Sequence, residues 1–257
     1  MNTGTVAWVD LNADLGEGET LRPSDLAILD CVTSVNLSCG FHAGNLTVIE
    51  ASLVAALERG VTTGAHVSYR DRQGFGRRPQ DVPAPRLRAD IVEQYGILAG
   101  IAATAGGSVP YIKPHGALYN RMGVDEAVAA VVVDAVRECG VRVLVAQAGT
   151  VVDRLAIQAG LEVIAEAFAD RGYLADGRLV PRSDPDAVFS DPQVVAQRAI
   201  SLVTRGGIEA SDGSWLPVAC KTLCVHGDTP SAWESARETR MALEAGGVTV
   251  RSFAPPS

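Results

Sequence analysis

Four histidines and one unusual lysine carry most of the chemistry this chain can offer. His42, His66, His115 and His226 each stand just behind an apolar stretch that reads as a β-strand. Lys113 precedes His115 by two residues, the spacing that points two strand side chains to one face. It is one of only two lysines, the other being Lys221, among 22 basic residues. Where Arg supplies nearly every positive charge, a Lys in this place suggests a compact, titratable ammonium. Acidic and amide groups take equivalent positions: Asp10, Asn12 and Asp14 after the first strand, Asn36 after the second, Gln147 after the fifth and Glu166 after the sixth. Such groups can serve as general acid, general base and carbonyl polariser in hydrolysis of an amide. Asp and His also suit a divalent metal, but no HExxH or HxxxH pair specifies one, so the metal stays open.

The elements that must position these residues alternate regularly. The patterning predicts strands over 6–10, 33–37, 61–65, 109–112, 141–146, 161–165, 217–225 and 248–253. Helices are expected over 23–31, with Ser24 as cap, and over 45–59, 85–105, 125–139, 151–159, 193–204 and 231–245. The strands read as continuous apolar runs, the sign of a parallel sheet covered on both faces. In a closed barrel the strand ends converge on one mouth, whereas an open sheet spreads them along an edge. Polar residues at seven different strand ends therefore favour a single-domain α/β fold, an irregular (β/α) barrel of seven or eight parallel strands. The long irregular stretch 172–192 is expected to fold over the site as a loop or hairpin.

Composition narrows the classes further. The chain has 257 residues, 47% of them apolar, enough to bury a large core. A net charge of −8 argues against nucleic acid or an anionic membrane as partner. No apolar run approaches a membrane span, no basic-then-apolar leader precedes the first strand, and the five cysteines contain no CxxC pair. A reduced, cytoplasmic protein is the expectation. Cys224 reads as core. There is no G-x-x-x-x-G-K-[ST] loop, no G-x-G-x-x-G after a strand and no G-x-S-x-G elbow. If ATP is used, this chain alone does not hold it in a standard way.

A set of ordered motifs adds a family resemblance. Residues 9–18 (VDLNADLGEG), 36–44 (NLSCGFHAG), 64–66 (GAH), 74–78 (GFGRR), 113–120 (KPHGALYN), 166–171 (EAFADR), 179–182 (LVPR) and 224–230 (CVHGDTP) resemble the LamB/YcsF family, the A subunit of prokaryotic 5-oxoprolinase. The resemblance implies a barrel-like fold and ATP-dependent opening of 5-oxo-L-proline to L-glutamate, performed with B and C subunits. It implies that Asp10, Asp14, His66 and His115 transfer protons or activate water, and that Lys113 and His226 neutralise developing oxyanion or phosphoryl charge. Arg171 or Arg182 would pair with the substrate carboxylate. Asn12, Asn36, His42, Asn120, Glu166 and Asp228 complete the expected substrate site. The chain departs from the family pattern at Val67-Ser68, at Asn45 in place of an acid, and at Cys220-Lys221 in place of Ala-Asp. Two other readings remain: a metal-dependent deacetylase or carbohydrate hydrolase on a similar barrel, and a lactam-binding protein without chemistry of its own.

Overall fold

The computed structural model describes residues 8–226 and 231–255. Its building logic is visible in β1 (Trp8–Leu15). Val9, Leu11, Ala13 and Leu15 alternate with Asp10, Asn12 and Asp14, and both sets are buried. The apolar set packs in the main core. The polar set points along the barrel axis, where Asn12 reaches across to Glu166 and Thr222.

Parallel neighbours continue the pattern through β2 (Ser34–Ser38), β3 (Thr62–Val67), β4 (Tyr111–Pro114), β5 (Val143–Ala146) and β6 (Glu162–Phe168). A short antiparallel hairpin, β7 (Gly207–Glu209) and β8 (Trp215–Pro217), stands aside from the sheet. The chain then enters β9 (Thr222–Cys224), which pairs with both β6 and β1 and closes seven parallel strands into a barrel. Finally β10 (Thr249–Val250) lies parallel to the start of β1, beside Trp8 and Val9.

The helices α1 (Pro23–Leu29), α2 (Leu46–Glu58), α3 (Ala84–Thr104), α4 (Gly116–Met122), α5 (Glu126–Glu138), α6 (Val151–Gln158), α7 (Pro192–Thr204) and α8 (Ala232–Ala245) supply the outer layer. Leu11, Leu37, Ile49, Leu53, Leu98 and Leu144 are each fully buried in the resulting core. A much smaller apolar cluster, Tyr111, Val145 and Ile164 with Phe253, plugs the barrel axis from below. Gly64 makes room for that plug, since a Cβ there would fall 2.0 Å from the Tyr111 ring. Among the described residues no helix is long and apolar enough to cross a membrane.

The barrel agrees with the sequence reading, but several elements differ. The strands are not uniformly apolar: their axis-facing positions are polar because the upper barrel is a site rather than a packed core. For that reason Asp10, Asn12, Asp14, His66 and Glu166, expected at or just past strand ends, lie within β1, β3 and β6. The predicted strand 217–225 splits into β8 and the three residues of β9. The patterning gives no helix directly after Pro114, yet Gly116 starts α4 there with φ +55°. The cap of α1 is Arg22, not Ser24. Its side chain pairs with Asp25 at N3, which in turn accepts from the Arg22 backbone N–H.

Candidate active site

The centre of the upper barrel is a buried charge cluster on β1, β4 and β6. Lys113 Nζ lies 2.9 Å from Asp14 Oδ1 and 2.9 Å from Glu166 Oε1, with Asn12 Oδ1 at 3.3 Å and Cys224 Sγ at 3.2 Å. Burial alone would lower the Lys113 ammonium, but Asp14 first and then Glu166 outweigh it and hold it well above the usual lysine range. Burial alone would likewise raise Asp14; His66 and Lys113 reverse that and hold its carboxyl well below the usual range. Lys113 is therefore a fixed positive charge, not the titratable amine its sequence context suggests. Cys224, which the sequence places in plain core, touches this ammonium, and burial pushes its thiol well up, so it stays protonated.

Asn36 ties the cluster together by donating to Asn12 Oδ1 at 2.7 Å and Asp14 Oδ1 at 2.8 Å, while its own carbonyl accepts from Tyr111 at 2.9 Å. Asp10 sits one layer lower. Its carboxylate accepts from Thr33 and Ser34, each at 2.7 Å, and from Thr222. Burial pushes Asp10 up to about 6 despite these three hydroxyls.

A second cluster forms where β3 and β4 end. His66 Nε2 and His115 Nδ1 are 2.9 Å apart, and His42 stacks on His115 with ring centres 4.0 Å apart. Glu17 Oε1 lies 2.9 Å from His42 Nε2 and 3.8 Å from His115 Nδ1. Burial first, and then the neighbouring imidazoles, keep His42 and His115 well below the usual histidine range. The loop 74–78 presses on this cluster. A Cβ on Gly76 would come within 2.7 Å of the His115 ring, and its φ is +67°. Beside it Phe75 adopts φ +53°, a conformation that costs about 1–3 kcal/mol in a non-glycine residue and here aims its carbonyl at His115 Nε2, 2.8 Å away.

Opposite the histidines, His226 Nδ1 is 2.8 Å from Asp170 Oδ2, and its ring stacks on Phe168. The nitrogen facing Asp170 must carry the proton, which leaves Nε2 as the other, basic atom. The segment 172–192 folds over this side through bridges between Arg171 and Val188 and between Tyr173 and Leu179. Arg171 holds the segment by donating to the carbonyls of Val180 and Ala187. Burial and the nearby Arg182 bring Arg171 down to about 10, which leaves it charged at neutral pH.

These parts surround a cleft of about 200 Å³. That is smaller than the ~300–1,000 Å³ sites of drug-sized ligands, so it suits a small metabolite. Asp14, His66, Lys113 and His115 line its floor, while Asn120, Arg171, Arg182 and His226 line its rim. Five expected residues do not reach it: Asn12, Asn36, His42 and Glu166 brace the lining groups, and Asp10 is sealed beneath them. Asp228 lies outside the described residues. Lys221 is exposed on the outside of the barrel, stacked over Trp8 with Nζ 4.5 Å from the ring centre. Asn45 caps α2 by accepting from the Val48 N–H.

Sequence reasoning passes over Glu17, Asp170 and Tyr119. Glu17 and Asp170 lie inside the family motifs but just beyond a strand, so no alternation assigns them a direction. Tyr119 lines the cleft one helical turn after His115, in the short helix that the patterning does not give. Burial and the Glu166 carboxylate push its phenol well up, which keeps it a hydrogen-bond donor. Among the described residues, two groups of side chains have donor atoms close enough to hold a metal ion: Glu17, His42, His66 and His115, and Asp14, Cys224 and His226.

A model of the LamB/YcsF family matches residues 9–257. The chain is 50% identical over 249 residues to a 5-oxoprolinase A subunit of Pseudomonas syringae pv. tomato, covering 96% of this chain and 97% of that protein. Identity to the 5-oxoprolinase A subunit of Streptomyces griseus is 50% over 250 residues, with 96% and 100% covered. The crystal structure of a lactam utilization protein from Thermus thermophilus is 40% identical and superposes with a TM-score of 0.89, across 96% of this chain and 100% of that one. Peptidoglycan deacetylase PdaC from Bacillus subtilis, 12% identical with a TM-score of 0.50 over 97% of this chain and 89% of its own, shares the fold alone.

Proposed function

Because this chain belongs to the LamB/YcsF family, we propose that it opens 5-oxo-L-proline to L-glutamate as the A subunit of an ATP-dependent 5-oxoprolinase. The observation that carries this reading is the cleft itself. It is small, its floor holds a fixed ammonium, and its rim holds two arginines. A five-membered lactam bearing one carboxylate matches those features in size and charge.

Ring opening requires water to add to the lactam carbonyl carbon, the C–N bond to break, and the ring nitrogen to leave with a proton as the amine of glutamate. Lys113 faces the developing oxyanion, a role that its permanent charge serves without a proton transfer. His226, with Nδ1 held by Asp170, offers Nε2 as the base that takes a proton from water and returns it to the leaving nitrogen. Arg171 and Arg182 pair with the substrate carboxylate. Asp10, sealed below the cleft, acts through the residues above it and not on substrate.

The amide is stabilised, so opening it needs an activated carbonyl oxygen, and ATP is the source. This chain has no phosphate loop, and B and C subunits would share the handling of ATP. The decisive experiment is glutamate release from 5-oxoproline and ATP by this chain alone and mixed with B and C subunits. Release only in the mixture is expected. ADP formation in the mixture without glutamate would overturn the substrate assignment.

A further inference from the structure

We infer that Arg77 forms a phosphoryl subsite at the edge of the cleft, and that a nucleoside triphosphate reaches it along an adjoining groove. This subsite rests on the ring-opening reading and places the activating phosphoryl group within this chain. The groove has a volume of about 660 Å³, against about 200 Å³ for the cleft. The two share Arg77, Ala117, Tyr119, Asn120, Leu179 and Pro181, so they meet along that line. The groove thus has the size of a site for a nucleotide-sized ligand, which the cleft does not. Pro79, Val124, Leu179 and Pro181 give it apolar walls, and Gln147 and Thr150 add polar groups, a combination suited to a base and a ribose. Arg121 and Arg178 brace these walls through Asp125 at 3.0 Å and Asp176 at 2.7 Å.

Arg77 stands at the join, on the loop 74–78 that leads from β3 towards α3. That loop is locked on both flanks. The Gly74 N–H donates to Asp71 Oδ1 at 2.9 Å, the Gly76 N–H to the Asp71 carbonyl at 2.8 Å, and the Arg77 N–H to the Gly74 carbonyl at 2.9 Å. On the other flank the Gly76 carbonyl accepts from the Ala117 N–H at 2.9 Å, so close that a Cβ on Gly116 would lie 2.6 Å from it. The Arg77 guanidinium itself rests over the Phe75 ring, 4.8 Å from its centre. A planar fork held this way suits phosphate oxygens, because little side-chain freedom is left to lose on binding.

The charge around the cleft also favours a second anion. Arg77, Arg171 and Arg182 all line it, and after burial both Arg182 and Arg77 act against the Arg171 charge. Asp14 is paired with Lys113 on the floor, and the buried Asp170 faces His226. A lactam carboxylate brings one negative charge to three guanidiniums, and a terminal phosphoryl group supplies the rest. In the transfer, the lactam carbonyl oxygen bonds to the terminal phosphorus as the bond from phosphorus to the bridging oxygen breaks. That electron pair leaves on ADP, while the ring nitrogen keeps its proton and takes up the positive charge. Arg77 would hold the phosphoryl oxygens throughout.

Kinetics of the enzyme assembled with B and C subunits test the subsite through the split between its two substrates. Arg77→Ala should lower kcat/KM for ATP about 10²–10³-fold and leave KM for 5-oxoproline unchanged. Arg77→Lys, which keeps the charge but not the fork, should recover part of that loss. Arg182→Ala should show the reverse split, raising KM for 5-oxoproline. Ala148 is exposed on the groove and does not line the cleft, so Ala148→Trp should raise KM for ATP alone. Should Arg77→Ala fail to fold, Arg77→Lys and Ala148→Trp carry the test. ATP should also raise the melting temperature of the isolated chain, and less so in Arg77→Ala. Equal losses towards both substrates in Arg77→Ala, or an unchanged KM for ATP in Ala148→Trp, would overturn the subsite. An ATP-dependent shift without glutamate release would support the subsite and overturn the lactam assignment; full glutamate release by Arg77→Ala would do the opposite.

Discussion

The barrel has two interiors of opposite character. Between sheet and helices lies a continuous apolar layer, in which Leu11, Ile49, Leu53 and Leu144 are fully buried. Along the axis, past the small plug around Tyr111, lie Asp10, Asn12, Asp14, Asn36, His66, Lys113 and Glu166, almost equally buried. Both regions exclude water, but for different ends. The outer layer gains free energy from apolar burial, roughly 25 cal/mol per Å². The axis has to offset the desolvation of charges with one another, so it contributes preorganisation more than stability.

The largest effect is expected from breaking the axial charge balance. Lys113→Met leaves Asp14 and Glu166 buried together without their cation, at a cost of about 3–5 kcal/mol in denaturant unfolding. Activity of the assembled enzyme should fall by about 10²–10³ or more. Adding Glu166→Gln should restore much of the stability and none of the activity. If the double variant regained turnover, Lys113 would be a structural counter-ion and nothing else.

An outer-layer change should separate the two properties the other way. Leu53→Ala should lower stability by about 2–5 kcal/mol, yet leave kcat and KM of the folded protein as they were. A matching loss of kcat would mean that the apolar shell positions the axis more directly than this division allows.

Asp10 and Asp14 carry the contrast into a single strand. Asp10 is pushed up to about 6 from an ordinary value near 3.8, so the folded state binds its proton more tightly than the unfolded chain. Its contribution is fully present below about pH 3.8 and is lost as pH rises through about 6, a loss of about 3 kcal/mol in all. Asp14 has the opposite sign: its contribution is present above the ordinary carboxylate range and is lost on acidification. Asp10→Asn should therefore flatten stability between about pH 4 and 7 in urea titrations. Superimposable curves for the two proteins would show that Asp10 is not a buried charge.

The smallest effect is expected at Lys221. It is exposed and stacked outside the barrel, so Lys221→Ala should change stability by no more than about 0.5 kcal/mol. Glutamate release should be unaltered. A clear loss of activity would place this departure from the family pattern within reach of the chemistry.

Much of this arrangement is legible in the residues. Parity alone puts Asp10, Asn12 and Asp14 on one face, and puts Lys113 on the face that leads to His115. What parity does not give is depth. Asp10 and Asp14 share a face, but only barrel closure by β9 shows that one is sealed and the other lines the cleft. Residues beyond a strand are harder still. Glu17 and Asp170 have no fixed period, and their directions depend on loops packed against other strands.

Local periodicity and ordered motifs are properties of the chain, and from them follow the alternation of strand and helix, the barrel class and the family. The same residues also show which side chains could carry chemistry. Their states, by contrast, belong to the folded molecule. Lys113 became a permanent charge through two carboxylates from other strands, and His42, His66 and His115 became one cluster through carbonyls and a serine on three segments. Ionisation and tautomer depend on neighbours far apart in the chain, and only the closed barrel brings them within hydrogen-bonding distance.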